Sequence, residues 1–331
     1  MIVHVLYDWN DSHGTAASLV SSGLVDLGCP LVENHFTPPS RFKLWSWLVG
    51  AVRVLMKSSN GDVIVTWYDF QGILCFLVSK LLFRKREFVI INLLLKDKST
   101  MKNRLVSWLY KITLTAKNVR ASVTSEAYGR MLNQKLGNHL TFPVVRDVYF
   151  DSYSVSTDTA VRTCHYVFCG GSNARDWDFM FSVTRNMPDV MFHFVMRRDD
   201  YQRYKDIKAL NVVIKVEIPE DEFIREVAGC SLCALPLQTN APAGLIVLFM
   251  AGMQDKVVLI TKTLTSAEYI TNERGEPLEN HVDSWCDSIR HYLDNPDIAN
   301  KKGKRLHQFI ENECSPKSFC RGILQMIESL A

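Results

Sequence analysis

With 331 residues, 47% of them hydrophobic, the chain is long enough to bury two cores of ordinary size. Its nine cysteines are an odd number spread through apolar segments, which argues against a secreted disulfide framework and for a reducing compartment. The net charge of +3 hides an uneven split: residues 1–150 carry 18 Lys and Arg against 10 Asp and Glu, the remainder 20 against 25, so the halves suit different partners unless this is ordinary solvated surface.

The chain opens on the strand-like "IVHVLYDW" (2–9), with no basic start or small-residue cleavage site, so no signal peptide is expected. Further β-branched apolar runs follow at "DVIVTWYD" (62–69), "FVIINLLL" (88–95) and "ASVTS" (121–125), with helical patterns between them. Continuous rather than alternating apolarity marks strands buried on both faces, hence a parallel sheet covered by helices. In one intervening helix, Met101, Leu105, Trp108, Leu109 and Ile112 form an apolar face opposite a basic one. Two earlier stretches, near 44–56 and 72–83, are apolar but broken by charge well short of the roughly 20 residues that cross a bilayer. The first, "RFKLWSWLVGAVRVLMK" (41–57), and the basic "KLLFRKR" (80–86) suit either an anionic membrane interface or buried helices flanked by solvated charge. Nucleic acid is not an expected partner, because the basic residues are not interleaved with aromatics in a binding module.

Residues 151–163, "DSYSVSTDTAVRT", are small, polar and aperiodic, and read as a linker. Beyond them "CHYVFCGG" (164–171), "VMFHFVMR" (190–197), "VVIKVEI" (212–218), "SLCALPL" (231–237) and "KVVLIT" (256–261) alternate with helical stretches. The expected organisation is α/β, two Rossmann-like doubly wound domains: residues 1–150, the linker, a second domain over 164–312, and a terminal helix over 313–331.

The segments "YVFCGGSNARDWDFMFSVTRNMPDVMFHFVMR" (166–197), "IPEDEFIREVAGCSLCALPL" (218–237), "NAPAGLIVLFMAGMQDKVVLITKTLTSAEYI" (240–270) and "DSWCDSIRHYLDNPD" (283–297) stand in an order that resembles GT-B glycosyltransferases, in particular the family-four, retaining nucleotide-sugar transferases. The resemblance covers residues 164–297 and extends to the first domain in architecture only. It implies two domains facing a cleft, a last helix crossing back onto the first domain, and transfer of a sugar from a nucleoside-diphosphate sugar to a hydroxyl of a glycan or lipid-linked glycan in polysaccharide biosynthesis. It also implies a cytoplasmic enzyme, attached peripherally to the inner membrane face if the basic helices dock there. The donor is a co-substrate; neither cofactor nor metal is implied. Two alternatives stay open: a non-catalytic GT-B subunit that partners an active transferase, and a sugar-nucleotide epimerase or phosphorylase on the same fold.

Residue by residue, the resemblance places the donor diphosphate at Gly170, Gly171, Ser172 and Arg175. A guanidinium offers phosphate a bidentate fork, and the helix start beyond the glycines adds N–H groups. An alternative pairs Arg175 with Asp176 or Asp178 on a helix surface. The nucleoside falls near Glu217 and Ile218 and the sugar near Asn240 and Ala241, while Pro242, Ala243 and Gly244 lead into a helix whose N-terminal N–H groups can face the phosphate. The family's two acids, seven residues apart, correspond to Ala241 and Phe249. The second normally faces the ribose, so Phe249 is expected at the cleft edge. On the acceptor side Asp8, Asp11, Ser12 and His13 follow the first strand, where His13 or Asp11 could act as general base. The pair Cys230 and Cys233 has zinc or redox spacing, but its apolar setting favours a core role.

Overall fold

The computed structural model describes residues 1–8, 15–29, 31–95, 101–153 and 165–330. They separate into two compact units, one of Met1–Val148 with Cys314–Ala331 and one of Tyr149–Glu313. Residues 154–163 of the expected linker lie outside the described residues.

The first unit contains β1 (Val3–Tyr7), α1 (Thr15–Asp26), β2 (Val32–Phe36), α2 (Lys43–Lys57), β3 (Val63–Thr66), α3 (Asp69–Leu81), β4 (Glu87–Ile90), α4 (Met101–Leu114), β5 (Val119–Ala121) and α5 (Glu126–Leu136). Its five strands are parallel, in the order β2-β1-β3-β4-β5. Every residue of β1 and β3 is buried, as their unbroken apolarity requires. The polar β2, "VENHF", is a half-exposed edge strand with no apolar run to announce it. The crossovers holding α2, α3 and α4 all advance in the same direction across the sheet, so right-handedness lays the three helices side by side on one face. The α1 crossover runs back and lies on the other.

In α4 the apolar stripe is not the buried one. Tyr110, Thr113 and Leu114 face the core, while Leu105, Trp108 and Ile112 are exposed. Periodicity fixes the helix but not which face meets the sheet when both sides carry apolar residues.

The chain rejoins this unit at its end. After α12 (Pro296–Glu313) of the second unit, α13 (Pro316–Glu328) packs on α1, β4 and β5. Ser315 caps it by accepting from the Ser318 N–H, with proline at its first position. Close packing on α1 uses Gly23, where an added Cβ would lie 2.5 Å from Cys320 Sγ. The Arg120 guanidinium donates to Ser329 Oγ and O at 3.1 and 3.0 Å.

The second unit has β6 (Tyr166–Gly170), α6 (Trp177–Arg185), β7 (Met191–Met196), α7 (Arg198–Tyr204), β8 (Val212–Val216), α8 (Glu220–Gly229), β9 (Leu232–Leu235), α9 (Leu245–Gly252), β10 (Val258–Thr261), α10 (Ser266–Tyr269), β11 (Glu276–Leu278), α11 (Val282–Asp294) and α12. The six strands are parallel, in the order β11-β10-β9-β6-β7-β8. Trp177, Phe181, Phe192, Phe194 and Trp285 anchor its core. Strand order reverses between β6 and β9, and the crevice outside their carboxyl ends is where a doubly wound sheet offers a ligand site. No described helix is long and apolar enough to cross a membrane.

Candidate functional site

The loops leaving β6 and β9 are tied together at that reversal. Arg175 and Leu237 form an antiparallel bridge, Asp176 N donates to Pro236 O at 3.0 Å, and Gln238 N donates to Ala174 O at 2.9 Å. The chain reaches this geometry through left-handed backbone at Gly171 (φ 105°) and Ala174 (φ 54°), with Gly244 (φ 78°) at the N-terminus of α9.

These turns enclose the Arg175 side chain. Its Nε donates to Gly170 O at 2.7 Å. The guanidinium lies between the two glycines: a Cβ on Gly171 would be 2.8 Å from Nη2, and one on Gly244 3.3 Å from Nη1. Nη1 is buried and has no hydrogen-bond partner. Among the described residues Arg175 has no carboxylate partner, and burial lowers its pKa. Asp176 does not neutralise it, because that carboxylate caps α6 by accepting from Phe179 N and accepts from Gln238 Nε2 and Asn280 Nδ2. A buried cation without a counter-charge is costly. Here it stands beneath the N-terminus of α9, which has no side-chain cap and carries the positive end of the helix dipole. Two positive elements meet at one point with no acid between them, an arrangement that suits an anion. Nε is engaged with Gly170 and Nη1 is closed off from solvent, so the guanidinium sits behind the glycine wall.

The remaining expected donor residues divide. Ser172 and Asn240 are exposed at the mouth of the turns, Ala241 and Pro242 are half-buried, and Ala243 is buried beside Gly244. The Ala241 N–H is taken by Thr239 Oγ1 at 3.1 Å. Glu217 and Ile218 follow β8, two strands from β6; Glu217 has φ 49° and its carboxylate pairs with Arg198 at 3.2 Å. The structure thus brings Gly170, Gly171, Arg175 and Gly244 together, with Glu217 and Ile218 on the next rim. Asp11, Ser12 and His13 lie outside the described residues. Asp8, just before them, is buried and accepts from Thr37 Oγ1 and Trp47 Nε1 at 3.0 and 3.3 Å, with Lys43 Nζ at 3.4 Å.

Comparison with solved structures gives the architecture its name. HepE of Anabaena, solved with UDP-glucose bound, matches with TM-score 0.72 at 14% identity over 99% of this chain and 100% of that one. A glycosyltransferase from Rickettsia africae matches with TM-score 0.72 at 12% identity over 99% and 98%, and sucrose-phosphate synthase from Thermosynechococcus elongatus with TM-score 0.73 at 11% over 100% and 99%. The fold is GT-B. No family model matches the chain, and no curated protein matches it in sequence.

Against the GT-B pattern, the position of Phe249 is a correction. Its side chain is fully buried, with its ring 6.0 Å from that of Tyr269, rather than exposed at an edge. The phase of α9 explains this: Leu245, Val247, Leu248, Phe249 and Met250 are all buried, so the helix is packed nearly all round and leaves Ile246 as its exposed apolar residue. Cys230 and Cys233 are likewise core residues. Burial pushes the Cys230 thiol up to about 12 and raises Cys233 as well, which disfavours thiolate ligation.

A polar brace under the GT-B site has no sequence motif. Thr261 Oγ1 accepts from Leu237 N at 2.7 Å and donates to Asn280 Oδ1 at 2.6 Å, while Asn280 Nδ2 reaches Asp176 and Leu237 O at 3.3 Å. Asp176 before the apolar helix start is the one member whose capping role a sequence can announce.

Proposed function

We propose that the protein is a glycosyltransferase that moves a sugar from a nucleoside-diphosphate sugar to a hydroxyl of a glycan or lipid-linked glycan at the cytoplasmic face of a membrane. The observation that carries this reading is the buried, acid-free Arg175 guanidinium beneath the α9 N-terminus at the strand-order reversal. A diphosphate leaving group develops charge at that point, and a fixed cation with a helix dipole stabilises it without a metal. The ribose and base fall to the rim at Glu217 and Ile218, and Asp11 and His13 stay the acceptor-side candidates. UDP, GDP, CMP and ADP derivatives are expected to separate in a thermal-shift screen, with the donor's nucleotide raising the melting temperature. Absence of a shift with every nucleotide sinks the donor site.

One observation favours a second reading, a non-catalytic GT-B subunit. Ala241 and the buried Phe249 stand where the family has its acids, so the sugar and ribose lose their usual partners. Hydrolysis or transfer by the purified chain decides for the enzyme; nucleotide binding without turnover decides for the subunit.

The membrane part of the proposal is supported by the outer face of α2, α3 and α4. Phe42, Leu44, Trp45, Val52 and Met56 around α2, Leu81, Leu82 and Phe83 at the end of α3, and Leu105, Trp108 and Ile112 on α4 are all exposed. Phe83 is 93% exposed and held at φ 51°, a strained conformation for an aromatic residue that burial does not repay. Segments 39–61, 70–86 and 101–125 contain no Asp or Glu, but hold Arg41, Arg53, Lys57, Lys80, Arg84 and Lys111 among other bases. Apolar tips within an acid-free basic field match an anionic bilayer. Purified protein is expected to sediment with vesicles containing phosphatidylglycerol, less at high salt. The pair Phe83→Glu and Trp108→Glu is expected to weaken this at least about tenfold, since each aromatic contributes roughly 1 kcal/mol or more at the interface. Equal sedimentation of the double variant removes the membrane from the proposal.

A further inference from the structure

On the first sheet, three potential ligand atoms converge. In the parallel register His4 of β1 stands opposite Glu33 of β2, and His35 lies two residues further along β2, so all three side chains share one face. His4 Nδ1 is 2.9 Å from His35 Nε2 and 3.5 Å from Glu33 Oε2, and His35 Nε2 is 3.6 Å from the same oxygen. A tetrahedron with the bond lengths zinc makes to imidazole and carboxylate has ligand-to-ligand edges of roughly 3.3–3.4 Å, which these three separations straddle.

The far side of the His4 ring is built as well. Its Nε2 is 3.3 Å from Asp62 Oδ2, and Asp62 accepts backbone N–H bonds from Ile2 and Ser59, each at 2.7 Å. Asp62 Oδ2 accepts from His4 Nε2–H, which leaves the Nδ1 lone pair facing Glu33 and His35. One proton on His35 Nε2 can bridge to that lone pair; it leaves the Glu33 oxygen facing both rings with no proton of its own. Three donor atoms within 3.6 Å of one another, with a carboxylate orienting one imidazole from behind, are what a cation site requires.

We propose that His4, Glu33 and His35 bind a divalent transition metal, zinc foremost, with Asp62 as the outer partner of His4. Two imidazoles and a carboxylate suit zinc better than magnesium or calcium. His4 is buried, whereas Glu33 is about half exposed, so the metal enters from the solvent side and keeps an open position there. The bound ion would pin the edge strand β2 to β1, a strand whose polar sequence gives it little apolar anchorage.

The test begins with chelator-treated protein titrated with zinc chloride by calorimetry, alongside thermal unfolding with zinc and with magnesium. One equivalent of zinc and a melting temperature raised by zinc but not by magnesium are expected. Glu33→Gln and His35→Gln, both at partly accessible positions, are expected to abolish stoichiometric binding while leaving the metal-free melting temperature close to that of the parent. Asp62→Asn is expected to weaken zinc about ten- to a hundredfold, the usual effect of losing an outer-shell carboxylate. No stoichiometric binding by the parent, or binding that survives both Glu33→Gln and His35→Gln, overturns the site.

Discussion

Arg175→Met is expected to raise the melting temperature of the ligand-free protein while weakening nucleoside-diphosphate binding by about 1.5–3 kcal/mol, roughly ten- to 150-fold. The two effects have one cause. The guanidinium is buried with one nitrogen unpartnered and, among the described residues, no carboxylate near it, so the unliganded fold bears a desolvated charge. Met fills similar space between Gly171 and Gly244 without that cost. Its loss of the Nε bond to Gly170 O takes back about 1 kcal/mol, which leaves a net gain of order 1–2 kcal/mol. A diphosphate over the α9 N-terminus then lacks the cation behind the glycine wall. Calorimetry with the nucleotide selected by thermal shift, and unfolding without it, measure both halves. A lower melting temperature with unchanged affinity makes Arg175 a structural brace and removes it from the donor site.

The sequence announced those parts of the molecule that burial on both sides makes unmistakable. Runs such as "DVIVTW" and "KVVLIT" became central parallel strands, because only a strand covered by helices on both faces can be apolar at every position. Both sheets hold one more strand than the apolar runs mark: β2 and β11 are short, polar and at an edge, where hydrogen bonding to one neighbour replaces side-chain burial. The "ASVTS" run likewise gave β5 late, since the strand is Val119–Ala121 and the following residues already lead into the cap of α5. At the site, the glycines were legible because left-handed turns need them. The Arg175 environment was not, for nothing local says that Asp176 turns away to Gln238 and Asn280, residues far along the chain. The outward stripe of α4 escaped for a related reason: a hydrophobic period identifies a face, and only the sheet's own packing decides whether it is covered.

Phe249→Glu is expected to destabilise the second unit and give no gain in nucleotide affinity. The position is fully buried within a helix whose surroundings are apolar, with Tyr269 against the ring. A carboxyl there meets no cation and no water, so it is forced neutral or forces the helix outward, at a cost of about 3–5 kcal/mol. For a unit of this size that corresponds to a fall in melting temperature of about 8 °C or more. Phe249→Leu separates charge from volume, since a smaller apolar side chain costs only about 1–2 kcal/mol and places no polar atom in the core. The acid that the resembled family directs at the ribose is therefore not restored by writing it back at this position, because the helix buries that phase of its surface. If Phe249→Glu instead keeps its melting temperature and binds nucleotide more tightly than the parent, the side chain turns to the ligand and the packed position of α9 described above is wrong. On the proposed donor reading, with Phe249 buried where the resembled family has its ribose acid, specificity for the nucleoside falls to the β8 rim, where Glu217 is in left-handed backbone beside Ile218.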